Sequence, residues 1–299
     1  MSEQRPTLES TLKSRDTEEF IDIHFYRPIG YLWALFFNKL GVTPNQITIA
    51  SIFIGVASGV CFYFNEFCIK LLGVFLLIWA NSYDSADGQL ARMTDLKSEL
   101  GRILDGACGV LWFISIYISL ILNLFPSWEG YILVLALFAG FCHGMQARMA
   151  DYYRNIHLLF LKGKKGSELD NSKEVLARYK SMNWKKELVK KIFELNYFDY
   201  TRQQEKMTPR FQKMIKKINK KYAGEVPEWF CKEFREKSLP LMKYTNMLSF
   251  NLRAIVLCIS VLAGFPWVYF VFELTVMNIL LAYMVWKHEN ICRKFTEQL

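Results

Sequence analysis

The chain lacks the features of several common protein classes. Its seven cysteines form no C-x-x-C pair, and an odd number cannot all be joined within one chain. We therefore expect neither a zinc site nor a disulfide framework, and we interpret the cysteines as reduced, small apolar residues. Residues 1–19 contain no apolar run, so we expect a polar tail there and no cleaved signal peptide. Disorder and a collagen-like fibre are excluded, because 52% of the residues are hydrophobic and 16% are aromatic.

The hydrophobic residues are gathered into long runs instead of recurring at the periods of soluble helices or strands. Six segments reach about 20 mostly apolar residues, which is the length that crosses a bilayer. They are 45–64, 67–85, 103–123, 130–150, 247–265 and 267–286. Before them, apolar residues at helical spacing between Phe20 and Leu40 predict an amphipathic helix at the interface, with a buried core helix as the alternative. The sequence thus predicts an all-α integral membrane protein with six transmembrane helices.

The distribution of basic residues predicts the orientation. The turns at 65–66, 124–129 and 264–266 contain no Lys or Arg, whereas the connections on the other side carry almost all of them. Because basic loops stay in the cytosol, we expect both termini and the connections 86–102 and 151–246 to face it. In a bacterium the membrane would be the cell inner membrane.

A basic stretch interrupts the apolar segments. Residues 154–243 hold 23 Lys+Arg against 11 Asp+Glu, a net charge of +12 that exceeds the +9 of the whole chain. Lysines alternate with apolar residues at 185–193 and 211–222, which predicts two basic amphipathic helices whose faces suit an anionic leaflet. A solvated helical subdomain is the alternative. Nucleic-acid binding is disfavoured because no nucleic-acid-binding motif accompanies the charge.

These observations divide the chain into four parts. We expect a polar tail, an interfacial helix with transmembrane helices 1–4, a basic cytosolic helical insert, and transmembrane helices 5–6 with a C-terminal tail. The corresponding ranges are 1–19, 20–153, 154–246 and 247–299.

Acidic residues cluster where the second span meets the cytosol. Asp84, Asp87, Gly88 and Ala91 fall at i, i+3, i+4 and i+7, so two acids and two small residues share one helical face. Asp105 adds a third carboxylate at the start of the third span. Acids at membrane depth are costly and repel one another, so we expect a cation between them. Oxygen ligands favour Mg²⁺, Mn²⁺ or Ca²⁺.

Ion pairing is the alternative explanation for these acids. Arg92, Lys97 and Arg102 are near them in sequence and are suitable partners. Such pairing does not require Gly88 and Ala91 on the face that carries the acids.

The pattern D-x-x-D-G-x-x-A-R, followed after eight residues by G-x-x-x-D, resembles the signature of the CDP-alcohol phosphotransferases. Seven of its eight defined positions match. They are Asp84, Asp87, Gly88, Ala91, Arg92, Gly101 and Asp105. The segment Thr43-Pro44-Asn45-Gln-Ile-Thr48 before the first span is also similar to that family. The resemblance covers about residues 20–150, and the last two spans only by architecture.

The resemblance implies transfer of a substituted phosphate from a CDP-linked donor to a hydroxyl, with release of CMP. It implies Mg²⁺ or Mn²⁺ held by Asp84, Asp87 and Asp105. It further implies that Gly88, Ala91 and Gly101 line the cytidine pocket, with Arg92 near the nucleotide and in a structural ion pair. CDP-diacylglycerol is the expected donor, and a homodimer is expected from the family. A CDP-choline/ethanolamine-type enzyme acting on diacylglycerol is an alternative, whereas a transporter is disfavoured because the acids lie at one face of the membrane.

The chain departs from the signature at its eighth position. Gly109 stands where the family has its last Asp, which by resemblance is the general base and often a metal ligand. A general base contributes about 10²–10⁴-fold, so its absence predicts a slow enzyme or a relocated base. His143 is the first candidate, followed by Asp151 and Glu99. The alternatives are a phosphate of the acceptor acting as base, or a chain that binds CDP-lipid without catalysis.

The end of the fourth span offers a pocket for the acceptor. Arg148 and Arg154 are suited to holding a phosphate, and Asp151 and Gln146 to accepting hydroxyl groups. Arg253 in the fifth span is a further candidate. By resemblance this favours a phosphorylated polyol such as inositol phosphate, although flanking membrane charges are an alternative explanation for Arg148 and Arg154.

Overall fold

The computed structural model describes residues 7–11, 14–96, 98–185, 187–222 and 226–299. The described residues are 85% helical and contain no strand. In chain order the α-helices are α1 Arg27–Lys39, α2 Pro44–Cys61, α3 Phe67–Thr94, α4 Glu99–Trp128, α5 Gly130–Lys162, α6 Ser172–Ser181, α7 Leu188–Met207, α8 Pro209–Tyr222, α9 Glu228–Ser238, α10 Met242–Met247, α11 Phe250–Leu262, α12 Trp267–Leu274 and α13 Val276–Gln298. Lys97 and the side chain of Glu99, both named among the alternatives above, lie outside this description.

Six helical stretches of the described residues are long and apolar enough to cross a membrane. They are Pro44–Cys61, Phe67–Thr94, Leu100–Trp128, Gly130–Lys162, Glu228–Leu262 and Trp267–Gln298. The prediction of an all-α membrane protein with six spans is therefore confirmed.

Two helices are longer than their apolar runs. The helix α3 continues to Thr94, and α5 continues to Lys162. Hydropathy marks only the apolar part of a helix, whereas Ala, Gln, Leu, Arg and Met continue it at little cost. The first residues of the basic stretch therefore prolong α5, and the D-x-x-D-G-x-x-A-R segment lies within one unbroken helix.

The chain forms two compact units. The first contains Met1–Phe141 and Asn251–Leu274, and the second contains Cys142–Phe250 and Thr275–Leu299. The acidic motif belongs to the first unit, and the basic insert belongs to the second.

Small residues on α2 allow close packing in the first unit. The Ser51 hydroxyl donates to the Ala80 carbonyl of α3 at 2.7 Å, and Trp112 Nε1 of α4 donates to the Ser51 carbonyl at 3.1 Å. A Cβ atom added at Gly55 would lie 2.2 Å from the Trp112 ring. Small residues that let backbones approach are typical of helix contacts in membranes. The helix α2 is thereby held against both α3 and α4, which carry the acids.

The second unit packs α8 on α13. Phe211, Met214 and Ile218 of α8 are all buried. Both oxygens of Glu289 on α13 accept backbone N–H groups at the start of α8, from Arg210 at 2.7 Å and from Phe211 at 3.2 Å. A carboxylate is favourable there because the first N–H groups of a helix have no partner within it. The apolar face of α8, which the sequence suggested for a leaflet, is instead covered by protein.

Candidate functional site

The three predicted acids lie together. Asp84 and Asp87 project from one face of α3, and Asp105 projects from the first turns of α4. One carboxylate oxygen of each lies within 4.8 Å of the others. Asp87 is buried, Asp84 is half-buried and Asp105 is exposed, so the cluster opens at Asp105.

The donor set fits a divalent cation. Two unit charges about 4 Å apart repel by about 4 kcal/mol at an effective dielectric constant of about 20, so a bound cation would relieve the cluster. Carboxylate oxygens are hard ligands, which Mg²⁺ and Mn²⁺ prefer and which soft metals do not. All three donors are of this kind. The residues therefore fit the metal that the resemblance implies.

Thr48 of α2, the last residue of the family-like segment before the first span, contacts this cluster, a contact that the sequence analysis does not predict. The Thr48 hydroxyl donates to Asp87 Oδ2 at 2.5 Å, and Thr48 is 3% exposed. The contact holds the carboxylate of Asp87 in place through one of its oxygens. A threonine in an apolar span is not informative by itself, because only the packing of α2 on α3 brings the two side chains together.

Arg92 is held at the end of the same helical face. Its Nε donates to the Thr11 carbonyl at 2.5 Å, and the Thr11 hydroxyl donates to Gln89 Oε1 at 3.2 Å. Arg92 Nη2 is buried and has no hydrogen-bond partner among the described residues. A Cβ atom added at Gly88 would lie 3.4 Å from Arg92 Nη1. The guanidinium therefore lies beside Gly88, and its Nη2 can still donate a hydrogen bond. Ala91, on the same helix, is half-buried.

Gly101 lies where α2 and α4 begin. A Cβ atom there would come within 2.7 Å of Asn45 Oδ1. Ser98 caps α4 by accepting the Gly101 N–H at 2.9 Å, and Asn45 Nδ2 donates to the Ser98 hydroxyl at 3.3 Å. The close approach explains why this position is glycine.

Gly109 lies in open space on α4. No heavy atom comes within 4 Å of a Cβ atom added there, apart from those of its own helix backbone and chain neighbours. Packing therefore does not exclude an aspartate at this position.

Arg148 and Asp151 of the second unit share one neighbour, Tyr200 of α7. The Tyr200 hydroxyl donates to Asp151 Oδ2 at 3.0 Å, and the Arg148 guanidinium lies 5.5 Å from the Tyr200 ring centre. Burial, together with the charge of Asp151, raises the pKa of Tyr200 well above its ordinary value, so the phenol stays protonated and donates. Arg148 Nη1 also donates to Gln203 Oε1 at 2.6 Å.

Arg154 has other partners in the same unit. Its Nη2 donates to the Ser249 hydroxyl at 2.8 Å, while its Nε is buried without a partner among the described residues. Gln146 Nε2 donates to Asn278 Oδ1 at 2.9 Å, and His143 is half-buried one turn before Gln146 on α5.

Arg253 belongs to the first unit and is paired. It is 1% exposed, and its Nη1 lies 2.7 Å from Glu273 Oε2 of α12, which is equally buried. Glu273 is a partner that the sequence signals, because an acid within an apolar span is the expected counter-charge for a buried Arg. Any contribution of Arg253 to acceptor binding would therefore come from an arginine that is already paired with Glu273.

Comparison with known proteins gives a match to one family model and to two relatives. Residues 41–155 match the family model for CDP-alcohol phosphatidyltransferases. The chain is 43% identical over 70 residues to an uncharacterised protein of Aquifex aeolicus, covering 23% of this chain and 34% of that protein. It is 34% identical over 97 residues to an archaetidylinositol phosphate synthase of Pyrococcus horikoshii, covering 32% of this chain and 50% of that protein. The matches thus span a third to a half of the relatives.

Proposed function

From residues 41–155, which form a CDP-alcohol phosphatidyltransferase domain, we propose that the protein transfers a phosphatidyl group from CDP-diacylglycerol to a polar alcohol and releases CMP. The observation that carries the proposal is the cluster of Asp84, Asp87 and Asp105 inside this domain. The name of the Pyrococcus relative supports a phosphorylated polyol such as inositol phosphate as acceptor.

Asp84, Asp87 and Asp105 would hold Mg²⁺ or Mn²⁺. The cation would polarise the phosphorus of the donor and stabilise the negative charge that develops on the leaving CMP. Thr48 fixes the carboxylate of Asp87, so this ligand is oriented before substrate binds.

Arg92 is suited to the nucleotide phosphates. Its Nε is anchored on Thr11, while its Nη2 has no partner among the described residues and can donate to an anion. Gly88 and Ala91 expose α3 on the same side, which suits close approach of the cytidine. Gly101, which we also assign to the nucleotide pocket, would contribute its backbone.

The acceptor hydroxyl must lose its proton as it attacks the phosphorus. With Gly109 in place of the family aspartate, we propose His143 as the proton acceptor, with Asp151 as the second candidate. Asp151 already accepts hydrogen bonds from the Tyr200 hydroxyl and from Asn155 Nδ2, so its oxygens are less available to an acceptor hydroxyl. Arg148 and Arg154 would hold the acceptor phosphate. Arg253, the remaining candidate for acceptor binding, is paired with Glu273.

Further expectations rest on the same proposal. We propose that the acids and both termini face the cytosol, that residues 154–246 form a cytosolic insert between membrane parts, and that the protein acts as a homodimer without nucleic acid.

The test is CMP release by purified protein with CDP-diacylglycerol and Mn²⁺ or Mg²⁺. The acceptor panel contains inositol phosphate, glycerol phosphate, inositol, serine and ethanolamine, and CDP-choline with diacylglycerol tests the other donor class. We expect release with a phosphorylated polyol, reduced in His143→Asn. A folded protein that gives no CMP with any pair would contradict the enzymatic proposal.

The alternative is a membrane protein that binds CDP-lipid without turnover, and Gly109 is the observation that favours it. Because the space at Gly109 is open, Gly109→Asp should fold and supply the missing carboxylate. If the wild type is a slow enzyme, we expect the substitution to raise CMP release by about 10²–10⁴-fold. Saturable CDP-diacylglycerol binding with release only in Gly109→Asp would support the alternative.

A further inference from the structure

In the first half of α7, charged residues are buried and apolar residues are exposed. Lys191 and Glu194 are only 6% and 5% exposed, whereas Leu188 and Val189 are 52% and 69% exposed and Ile192 is 46% exposed. A helix on a soluble protein normally buries its apolar stripe and exposes its charges. This helix does the opposite.

The buried charges have specific partners, so the orientation of α7 is fixed. Lys191 Nζ donates to the Met182 carbonyl at 2.7 Å and lies over the rings of Tyr179 and Trp184, 4.8 Å and 5.1 Å from their centres. Arg178 Nε of α6 lies 3.4 Å from Glu194 Oε1. Rotating α7 so that its apolar residues are buried would break these contacts and leave Lys191 and Glu194 without their partners.

The outward side forms one surface, which we call the α7 apolar face. It consists of Trp184, Leu188, Val189, Ile192 and Leu195, each at least 43% exposed. Two exposed lysines, Lys185 and Lys190, directly follow Trp184 and Val189 of this face in the sequence. Contiguous apolar surface of this kind marks an interaction site, and a tryptophan beside lysines is typical of the membrane interface.

We propose that the α7 apolar face docks on the anionic surface of the membrane in which the chain is embedded. Two further observations select this occupant. The insert continues at both ends into candidate membrane spans, Gly130–Lys162 and Glu228–Leu262. The bilayer is therefore always close to the insert, which raises the effective concentration for docking. The stretch 154–243 carries a net charge of +12, which complements anionic headgroups.

The helix α8 provides the matched comparison. It has the same alternation of lysine and apolar residues, yet its apolar side chains, including Met214, are covered by the protein. Its exposed side is polar and includes Lys213. The docking surface is therefore assigned to α7 and not to the basic insert as a whole.

Photo-crosslinking of the full chain in vesicles of phosphatidylcholine and phosphatidylglycerol tests the proposal. The photoreactive residue p-benzoylphenylalanine replaces Ile192 on α7 or Lys213 on α8, and mass spectrometry identifies the adducts. Leu137 in α5, which is 72% exposed within a span, provides the lipid-facing control. We expect phospholipid adducts at positions 192 and 137 and none at 213, with phosphatidylglycerol enriched at 192.

Other outcomes would overturn the proposal. An adduct with a second copy of the chain or another protein at position 192 would assign the face to a protein interface. No adduct at 192, with normal labelling at 137, would show that the face meets water. The double variant Lys185→Gln, Lys190→Gln should lower the phosphatidylglycerol adduct at 192 several-fold, and an unchanged yield would contradict the charge complementarity.

Discussion

The acid cluster and the α6–α7 contact both bring charged side chains together, each with one buried carboxylate, but they do so in opposite ways. In the first unit, three carboxylates of one sign come within 4.8 Å of each other. In the second unit, Arg178 Nη2 lies 2.8 Å from Asp170 Oδ2, while its Nε contacts Glu194. Opposite charges satisfy one another within the protein, whereas like charges brought together indicate a ligand of opposite sign.

The paired region shows the expected effect on titration. The hydrogen bond to Asp170 raises the pKa of Arg178, so the cation is held more firmly than in water. The charges of this region are therefore paired with one another inside the protein. The three acids carry charge of one sign, and this contrast can be tested by removing single charges in each region.

The largest effect is expected for Asp84→Asn. The substitution keeps the size of the side chain and removes one metal ligand, so CMP release should fall by about 10³-fold or more, because metal stabilisation is worth several kcal/mol. The measurement is Mn²⁺-dependent CMP release with CDP-diacylglycerol and the acceptor found in the screen.

The matched control for this prediction is Asp95→Asn, in the spacer between the two parts of the motif. Asp95 caps the end of α3 with a φ of 53°, a conformation that Asn also tolerates, and it lies outside the cluster. We expect it to retain activity. An equal loss of CMP release in both variants would mean that removing any acid near α3 disturbs the enzyme. It would contradict a specific role of the cluster.

A smaller effect, on stability and not on chemistry, is expected for Glu194→Ala in the paired region. It removes the buried partner of Arg178, which keeps Asp170, so unfolding should become easier by about 1–3 kcal/mol. Thermal unfolding in detergent measures the change, with Glu233→Ala on the exposed side of α9 as control. A stability equal to the control would show that the buried contact contributes nothing.

The smallest effect is expected for Thr48→Val, which removes the hydroxyl that fixes Asp87 and keeps the shape of the side chain. Outer partners of metal ligands typically contribute 10–100-fold, so we expect the Mn²⁺ concentration for half-maximal CMP release to rise by about tenfold. Thr48→Ser should restore it. A fall in rate at unchanged Mn²⁺ dependence would instead indicate a role in packing α2 on α3.

The acid cluster was predictable because its geometry is mostly local. Spacings of i and i+3 place Asp84 and Asp87 on one face of any helix, and the six apolar runs define the helices. Thr48 and Thr11 were not predictable, since their contacts with Asp87 and Arg92 depend on how segments distant in sequence pack. The counter-charge of Arg253 was predictable, because Glu273 is an acid within an apolar span and such acids usually pair with a buried base.

The sequence also does not predict which side of each insert helix packs against the protein. Both α7 and α8 alternate lysine with apolar residues, and this period does not say which side packs inward. Glu289 and the other partners on α13 hold the apolar side of α8 inward, whereas Arg178 and the Met182 carbonyl hold the charged side of α7 inward. Partners on other helices decide the rotation of each helix.

The central claim is that the three acids hold a divalent metal, and Mn²⁺ binding tests it most directly. Electron paramagnetic resonance of free Mn²⁺ measures binding to the purified protein, wild type against Asp105→Asn. Asp105 is exposed, so the variant should fold normally. We predict saturable binding by the wild type that is at least about tenfold weaker in the variant. Equal binding by the two proteins, or none by a folded wild type, would contradict the account.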